Sequence, residues 1–140
     1  MSVAEILLPL FVQVLLTFVL LFLMASQRVG DLRSGAVRAR DISLGQPNWR
    51  PYTMQVSNAF RNQFELPVLF YVLIIIAIYI RRADYFLVLL AWIFVAIRVV
   101  HAVIHITSNK VQIRGPVWLL SAVILAIMWG LLMVNVLAVR

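Results

Sequence analysis

Two short sets of polar side chains interrupt a strongly apolar sequence, and each set has the spacing of one helical face. The first set occupies positions i, i+3, i+4 and i+7 and consists of Asn58, Arg61, Asn62 and Glu65. The second occupies positions i, i+3 and i+7 and consists of Arg98, His101 and His105. Because residues three and four apart share a face of an α-helix, each set predicts one polar face on one helix.

The residue types of these two faces are typical of an anion-binding site. Guanidinium groups bind carboxylates, in the best case through two parallel hydrogen bonds. Glu65 is the only carboxylate of the two faces, so we expect Arg61 to remain without a carboxylate partner, together with Arg114 further along the chain. An unbalanced cationic cavity attracts an anionic ligand.

A structural role is the alternative explanation for these polar groups. One buried ion pair with a few amides is enough to fasten helices together within a bilayer. The seven polar groups at one level exceed that need, which favours a binding site. The other polar residues of the apolar segments, Gln13, Thr17 and Asn135, fit a packing role.

Several other kinds of site are excluded or disfavoured by the sequence. The chain has no cysteine, which excludes disulfides, cysteine-ligated metals and a cysteine nucleophile. His101 and His105 have a spacing that two metal ligands can use, but Arg98 and Arg61 would repel a cation, so we expect no metal. The sequence has no glycine-rich phosphate loop, no Ser-His-Asp order and no paired carboxylates for glycoside chemistry.

The elements that must position the polar faces are membrane-spanning helices. The apolar fraction is 64% and the charged fraction 12%, against about 45–50% and about 25% in soluble domains. A soluble chain of this length could not bury so much apolar surface, so the surplus must face lipid. Four apolar runs predict an all-α integral membrane four-helix bundle in a single domain, with helices over residues 4–26, 54–80, 84–107 and 114–139.

The second helix must carry its polar face into the membrane. Its apolar part, residues 66–80, has only 15 residues, whereas a span needs about 20. A tight turn at residues 81–84 then makes the second and third helices an antiparallel hairpin. That hairpin pairs residues at equal depth: Glu65 with Arg98, Asn62 with His101, and Asn58 with His105. We therefore predict a Glu65–Arg98 ion pair in the cytoplasmic half of the bilayer.

The basic residues predict the orientation of the chain. A formal charge of +7 would indicate nucleic acid as the partner of a soluble protein. Here the basic residues flank apolar runs, so we expect membrane lipid and no nucleic acid. The first loop, residues 27–53, is rich in arginine, and the positive-inside rule places it in the cytoplasm with both termini outside. No basic residue precedes the first helix, which disfavours a cleavable leader, and we expect a bacterial inner membrane.

The polar residues resemble those of the MAPEG superfamily, the membrane-associated proteins in eicosanoid and glutathione metabolism. The resemblance rests on the segment 61–67, Arg-Asn-Gln-Phe-Glu-Leu-Pro, and on Arg98-Val-Val-His101, with Arg114 sixteen residues after Arg98. It covers essentially the whole chain. Two positions depart from the family pattern: His105 stands where several members have tyrosine, and Asn58 where an arginine often stands.

The resemblance implies a homotrimer with a glutathione site between neighbouring subunits, open to the cytoplasm. Matched position by position, it implies that the glutathione contacts are Arg61, Asn62, Glu65, Arg98, His101 and Arg114. Arg98 would support Glu65 or the ligand. An arginine at the cytoplasmic end of the first helix contributes in some members, and Arg28 or Arg33 could fill that role. Arg114, and second His105, would be the catalytic residues that act on the thiol.

Three functions remain open from the sequence. The first is a glutathione S-transferase or glutathione-dependent peroxidase, with glutathione as co-substrate and a lipophilic small molecule as the second substrate. The second is a non-catalytic scaffold or a conduit for protons or small ions, since membrane Glu, His and Arg residues also mark such pathways. The third is a member of the family that kept the fold and lost the activity.

Overall fold

Five α-helices form the chain in a computed structural model, which describes residues 2–138. Their bounds are α1 Val3–Arg33, α2 Pro51–Arg61, α3 Leu66–Tyr79, α4 Tyr85–Ile106 and α5 Val111–Leu137. Short 3-10 turns cover Ala39–Asp41 and Asn62–Phe64, and residues 2–138 contain no strand. With α2 and α3 as one segment, four helical segments are long and apolar enough to cross a membrane. The predicted all-α, four-span membrane fold is confirmed.

Local sequence signals explain where the helices begin. Ser2 and Glu5 form a capping box on α1, in which each side chain bonds the backbone N–H of the other residue. Asp84 caps α4 by accepting a hydrogen bond from the backbone N–H of Leu87 at 2.8 Å. Pro51 occupies the first turn of α2, where its missing N–H costs no hydrogen bond.

The first helix is about two turns longer than predicted, because it continues past residue 26 to Arg33. Its extension is held by tertiary contacts that hydropathy does not reveal. The buried carboxylate of Asp31 accepts a hydrogen bond from the Thr53 hydroxyl at 2.7 Å, which ties the end of α1 to the start of α2. The first connection therefore spans residues 34–50 rather than 27–53.

The last helix begins at Val111, three residues before the predicted start at residue 114, so Pro116 lies inside α5. Residue 139, the predicted end of this helix, lies outside the described residues. The apolar core is formed by side chains of α1, α3, α4 and α5. At its centre the rings of Phe70 and Phe94 stack with centroids 4.7 Å apart, which sets α3 level with α4 close to the predicted hairpin alignment.

Candidate functional site

The second membrane segment is broken where its polar face meets its apolar part. α2 ends at Arg61, a 3-10 turn covers Asn62–Phe64, and Glu65 has φ −97° and ψ −108°, far from helical values. Pro67 explains the break, because a proline lacks the N–H that a continuous helix would use and its ring clashes with the preceding turn. The predicted unbroken helix over residues 54–80 is therefore wrong in this turn.

In the broken turn, Asn62 forms hydrogen bonds with two charged side chains, those of Arg98 and Glu65. Arg98 Nη2 donates to Asn62 Oδ1 at 2.5 Å and to the Asn62 backbone oxygen at 3.2 Å. Asn62 Nδ2 in turn donates to Glu65 Oε2 at 3.0 Å. The predicted direct ion pair between Glu65 and Arg98 is absent from the described residues, since no N–O distance between them is within 4 Å. Arg98 instead binds Asn62, which lies about one turn before Glu65 in the sequence, and the Asn62 amide stands between the two charges.

Arg98 and the two histidines form a buried layer behind this bridge. The Arg98 side chain has no exposed surface, and His101 and His105 are also buried. Their imidazole rings meet edge to face with centroids 5.6 Å apart. Arg98 Nε and Nη1 and the Nδ1 atoms of both histidines have no hydrogen-bond partner among residues 2–138. Buried polar atoms usually have partners, so this layer has unused hydrogen-bonding capacity.

Three polar side chains of the second segment are instead exposed on the surface of the subunit, namely Asn58, Arg61 and Glu65. They lie in a segment with the length and hydropathy of a membrane span. Charged groups facing hydrocarbon are costly, and they normally face a protein interior or a water-filled cavity. A polar surface of this kind inside a membrane segment is typical of a binding site.

Arg61 also lines a cleft of about 210 Å³ near the end of α1. Arg28 lines the same cleft, donates from Nη2 to the Ser57 hydroxyl at 3.3 Å, and lies 4.9 Å above the Trp49 ring. Such a cation–π contact holds a guanidinium in a fixed position. No carboxylate from the described part of the chain lines this cleft, so two arginines give it a positive potential.

Arg114 is half-buried in the first turn of α5, where its Nη1 donates to Asn109 Oδ1. Asn109 has a positive φ of 50°, a conformation that asparagine adopts more readily than most residues. Within residues 2–138, no hydrogen bond or ion pair joins Arg114 to Glu65 or to either histidine. Residues 2–138 also contain no group of three or more His, Cys, Asp and Glu side chains arranged for a metal ion.

The polar-face spacing gives no site role to two amides that the structure buries, Gln13 and Gln63. Gln63 lies within the broken turn, and its Oε1 accepts a hydrogen bond from Gln13 Nε2 of α1 at 2.9 Å. The signal was available, because a polar side chain in a membrane segment needs an internal partner. Of the two α1 arginines suggested by the resemblance, the structure places Arg28 beside Arg61, whereas Arg33 is exposed in the last turn of α1.

Comparison of the sequence with known protein families places these features in a wider context. The profile of the MAPEG family matches residues 6–134 of the 140-residue chain. No curated protein and no solved structure matches the chain significantly.

Proposed function

Because the chain belongs to the MAPEG family, which includes glutathione transferases and peroxidases, we propose that it is a membrane glutathione S-transferase or glutathione-dependent peroxidase. The observation that carries the proposal is the exposed charged surface of Arg61 and Glu65 beside Asn62, which is hydrogen-bonded to the buried Arg98. A charged surface within a membrane segment is retained where it binds a polar ligand.

Glutathione carries two carboxylates, one ammonium and one thiol, and the exposed side chains match these groups. Arg61 suits one carboxylate, and Arg28 in the same cleft suits the other or a second oxygen of the first. Glu65 suits the ammonium. Among residues 2–138 only Asn62 forms a hydrogen bond with the Glu65 carboxylate, through Oε2, so Oε1 can accept from the ligand. The absence of a direct Arg98 contact supports this role, since the arginine does not neutralise the carboxylate at close range.

The thiol requires a cation near sulfur, because the thiolate is the reactive form and positive charge lowers the thiol pKa. We assign this role to Arg114, which the short α4–α5 connection holds through Asn109. His105 is the second candidate, as a hydrogen-bond donor to sulfur or as a base, and His101 completes the ligand contacts. Arg98, fully buried, acts through Asn62.

We propose that the glutathione site is shared between subunits of a homotrimer. The support is the exposure of Asn58, Arg61 and Glu65 on a lone subunit, which a neighbouring subunit would cover. The second substrate would be a lipophilic electrophile or hydroperoxide that arrives from the bilayer. The glutathione thiolate would be held in the polar site, and the lipophilic substrate would reach it from the surrounding lipid.

Isothermal titration of the purified protein with glutathione in nanodiscs tests the proposal. We expect binding at millimolar glutathione or below, and turnover of a chromogenic electrophile. Glu65→Gln should weaken binding by about tenfold or more, because a charge-assisted hydrogen bond contributes roughly 1.5–3 kcal/mol. Glu5→Gln, which alters a carboxylate at the far end of α1, is the matched control and should bind as the parent does. A parent that binds no glutathione would contradict the proposal, whereas binding without turnover would indicate a member that lost its activity.

A conduit for protons or small ions is a second candidate, favoured by the polar atoms of Arg98, His101 and His105 that have no hydrogen-bond partner in residues 2–138. Against it stands the closely packed apolar layer around Phe70, Leu73 and Phe94, which have no exposed surface. Proton flux into proteoliposomes distinguishes the two functions. If the protein binds no glutathione and Glu65→Gln changes the proton flux, the conduit function would be established.

A further inference from the structure

Two buried amides hold the broken turn through a residue other than Asn62, the partner of Arg98. Gln13 of α1 is 0% exposed and Gln63 of the turn is 1% exposed. Gln13 Nε2 donates to Gln63 Oε1 at 2.9 Å, and Gln63 Nε2 donates to the Ala59 backbone oxygen at 3.0 Å. The three groups form a hydrogen-bonded chain that runs from α1 through the turn into the last turn of α2.

The Ala59 carbonyl, at the end of this hydrogen-bonded chain, determines how both amide groups are oriented. The Ala59 carbonyl can only accept, so the amide nitrogen of Gln63 must face it and the amide oxygen must face Gln13. Gln13 must then present its nitrogen. Each amide orientation follows from the neighbouring one, so the chain has a single arrangement. Within residues 2–138 this arrangement leaves one buried amide atom, Gln13 Oε1, without a partner. In a low-dielectric interior the two hydrogen bonds are strong, and breaking either would leave further buried polar atoms without partners.

The hydrogen-bonded amides affect the proposed ligand site through the backbone of the broken turn. Gln63 directly follows Asn62 and stands two residues before Glu65, and successive side chains of a 3-10 turn point about 120° apart. The turn is therefore held on one side by α1, through Gln63, and on another by α4, through Asn62 and Arg98. With both sides held, the turn has little freedom to rotate, and the Glu65 carboxylate has a defined position.

We propose that Gln13 and Gln63 are positioning residues for glutathione binding, which fix the broken turn so that Asn62 and Glu65 are preorganised for the ligand. The inference rests on the proposed function. Neither residue needs to contact glutathione, since both are inaccessible and Gln13 lies on a different helix from Glu65. Fixing a ligand-binding group before the ligand arrives removes the ordering cost from the binding step.

The test combines Gln13→Leu, Gln63→Leu and the double variant in nanodiscs. We expect each single variant to raise the Kd for glutathione by about tenfold, and the double variant to raise it little further, because residues that act through one shared bond are not additive. Backbone hydrogen exchange at residues 62–66 should become faster in each variant, with exchange in α5 unchanged. Thr17→Val is the matched control, since this hydroxyl donates to the Gln13 backbone carbonyl of its own helix at 3.1 Å and forms no hydrogen bond with the Gln63 amide within residues 2–138, and it should change neither measurement.

Each outcome decides the inference. A Gln13→Leu protein with parental helicity and a parental Kd would overturn it, as would single effects that add fully in the double variant. If Gln13→Leu does not fold, Gln13→Asn replaces it, because the shorter side chain keeps the amide but cannot span the same distance; a parental Kd there overturns the inference. If the parent binds no glutathione, the proposed function fails, while hydrogen exchange still shows whether Gln13 holds the turn.

Discussion

Arg98 carries a guanidinium with no exposed surface, and its only hydrogen-bond acceptors in the described chain belong to Asn62. A buried charge is stable only when neighbouring groups compensate it. Asn62 supplies that compensation with its side-chain and backbone oxygens, and it relays the interaction to Glu65 through its amide nitrogen. One residue thus serves the stability of the bundle and the orientation of a ligand-binding carboxylate.

We predict that Asn62→Leu strongly lowers the free energy of unfolding. The substitution removes the 2.5 Å acceptor of Arg98 and leaves the guanidinium with one backbone oxygen. A hydrogen bond to a charged group contributes about 1.5–3 kcal/mol, so we expect the free energy of unfolding to fall by about 2 kcal/mol. Denaturation by sodium dodecyl sulfate in mixed micelles measures it. Gln112→Leu, which replaces an exposed amide in the first turn of α5, should change stability by less than about 0.5 kcal/mol. Equal effects of the two substitutions would contradict the bridging role.

That the two polar faces lie against each other could be predicted from the sequence. Which side chains of the two faces form hydrogen bonds or ion pairs could not. Spacing and the hairpin alignment bring Asn62, Glu65 and Arg98 near one depth. The predicted Glu65–Arg98 ion pair assumed a continuous helix, in which opposite charges at equal depth would meet. Pro67 breaks that helix, exposes Glu65 and brings Asn62 to Arg98 instead. The pairing therefore depends on a rotation of the backbone that face patterns do not encode.

The broken turn between α2 and α3 is the element on which the candidate site depends. In a continuous helix the Asn62 carbonyl would accept the N–H four residues later. In the broken turn this oxygen lies within 3.2 Å of Arg98 Nη2. The four membrane segments follow from hydropathy alone, because a long apolar run has few alternatives to spanning lipid. The break, and the extension of α1 to Arg33, depend on tertiary contacts and are not visible in hydropathy.

We predict that Pro67→Ala repairs the helix and weakens the site. Alanine restores the missing N–H and removes the ring clash, so α2 and α3 can join. The Asn62 carbonyl would then bond within the helix and turn away from Arg98. We expect glutathione affinity to fall by about tenfold, with no loss of helicity by circular dichroism. Pro9→Ala, which replaces the buried proline inside α1, should leave affinity unchanged. Unaltered affinity in Pro67→Ala would show that the break is not needed for binding.

At the scale of the whole molecule, charge is distributed unevenly between the two ends of the bundle. The connection of residues 34–50 carries Arg38, Arg40 and Arg50, whereas the α3–α4 connection carries Arg81 and Arg82. Acidic residues partly compensate the longer connection, since Asp41 pairs with Arg38 at 2.8 Å and Asp31 lies 3.9 Å from Arg50. Arginine and lysine near membrane segments still determine which connection stays in the cytoplasm.

We predict that the 34–50 connection is cytoplasmic and the α3–α4 turn is external. The chain has no cysteine, so single cysteines can be introduced without any background reaction. In intact bacterial cells, a membrane-impermeant maleimide should label Arg82→Cys and should not label Ser43→Cys until the membrane is opened. Labelling of Ser43→Cys in intact cells would contradict this orientation and would show that the cationic cleft lies outside.

The stacking of Arg28 on Trp49 has a practical consequence. Indole emission responds to nearby charge, and this ring lies 4.9 Å from a guanidinium that lines the cleft with Arg61. Replacement of the other three tryptophans, Trp92, Trp118 and Trp129, by phenylalanine leaves a chain with one fluorophore, located beside the cleft. The protein thus contains its own optical indicator, through which occupancy of the cationic cleft can be followed in real time without a chemical label.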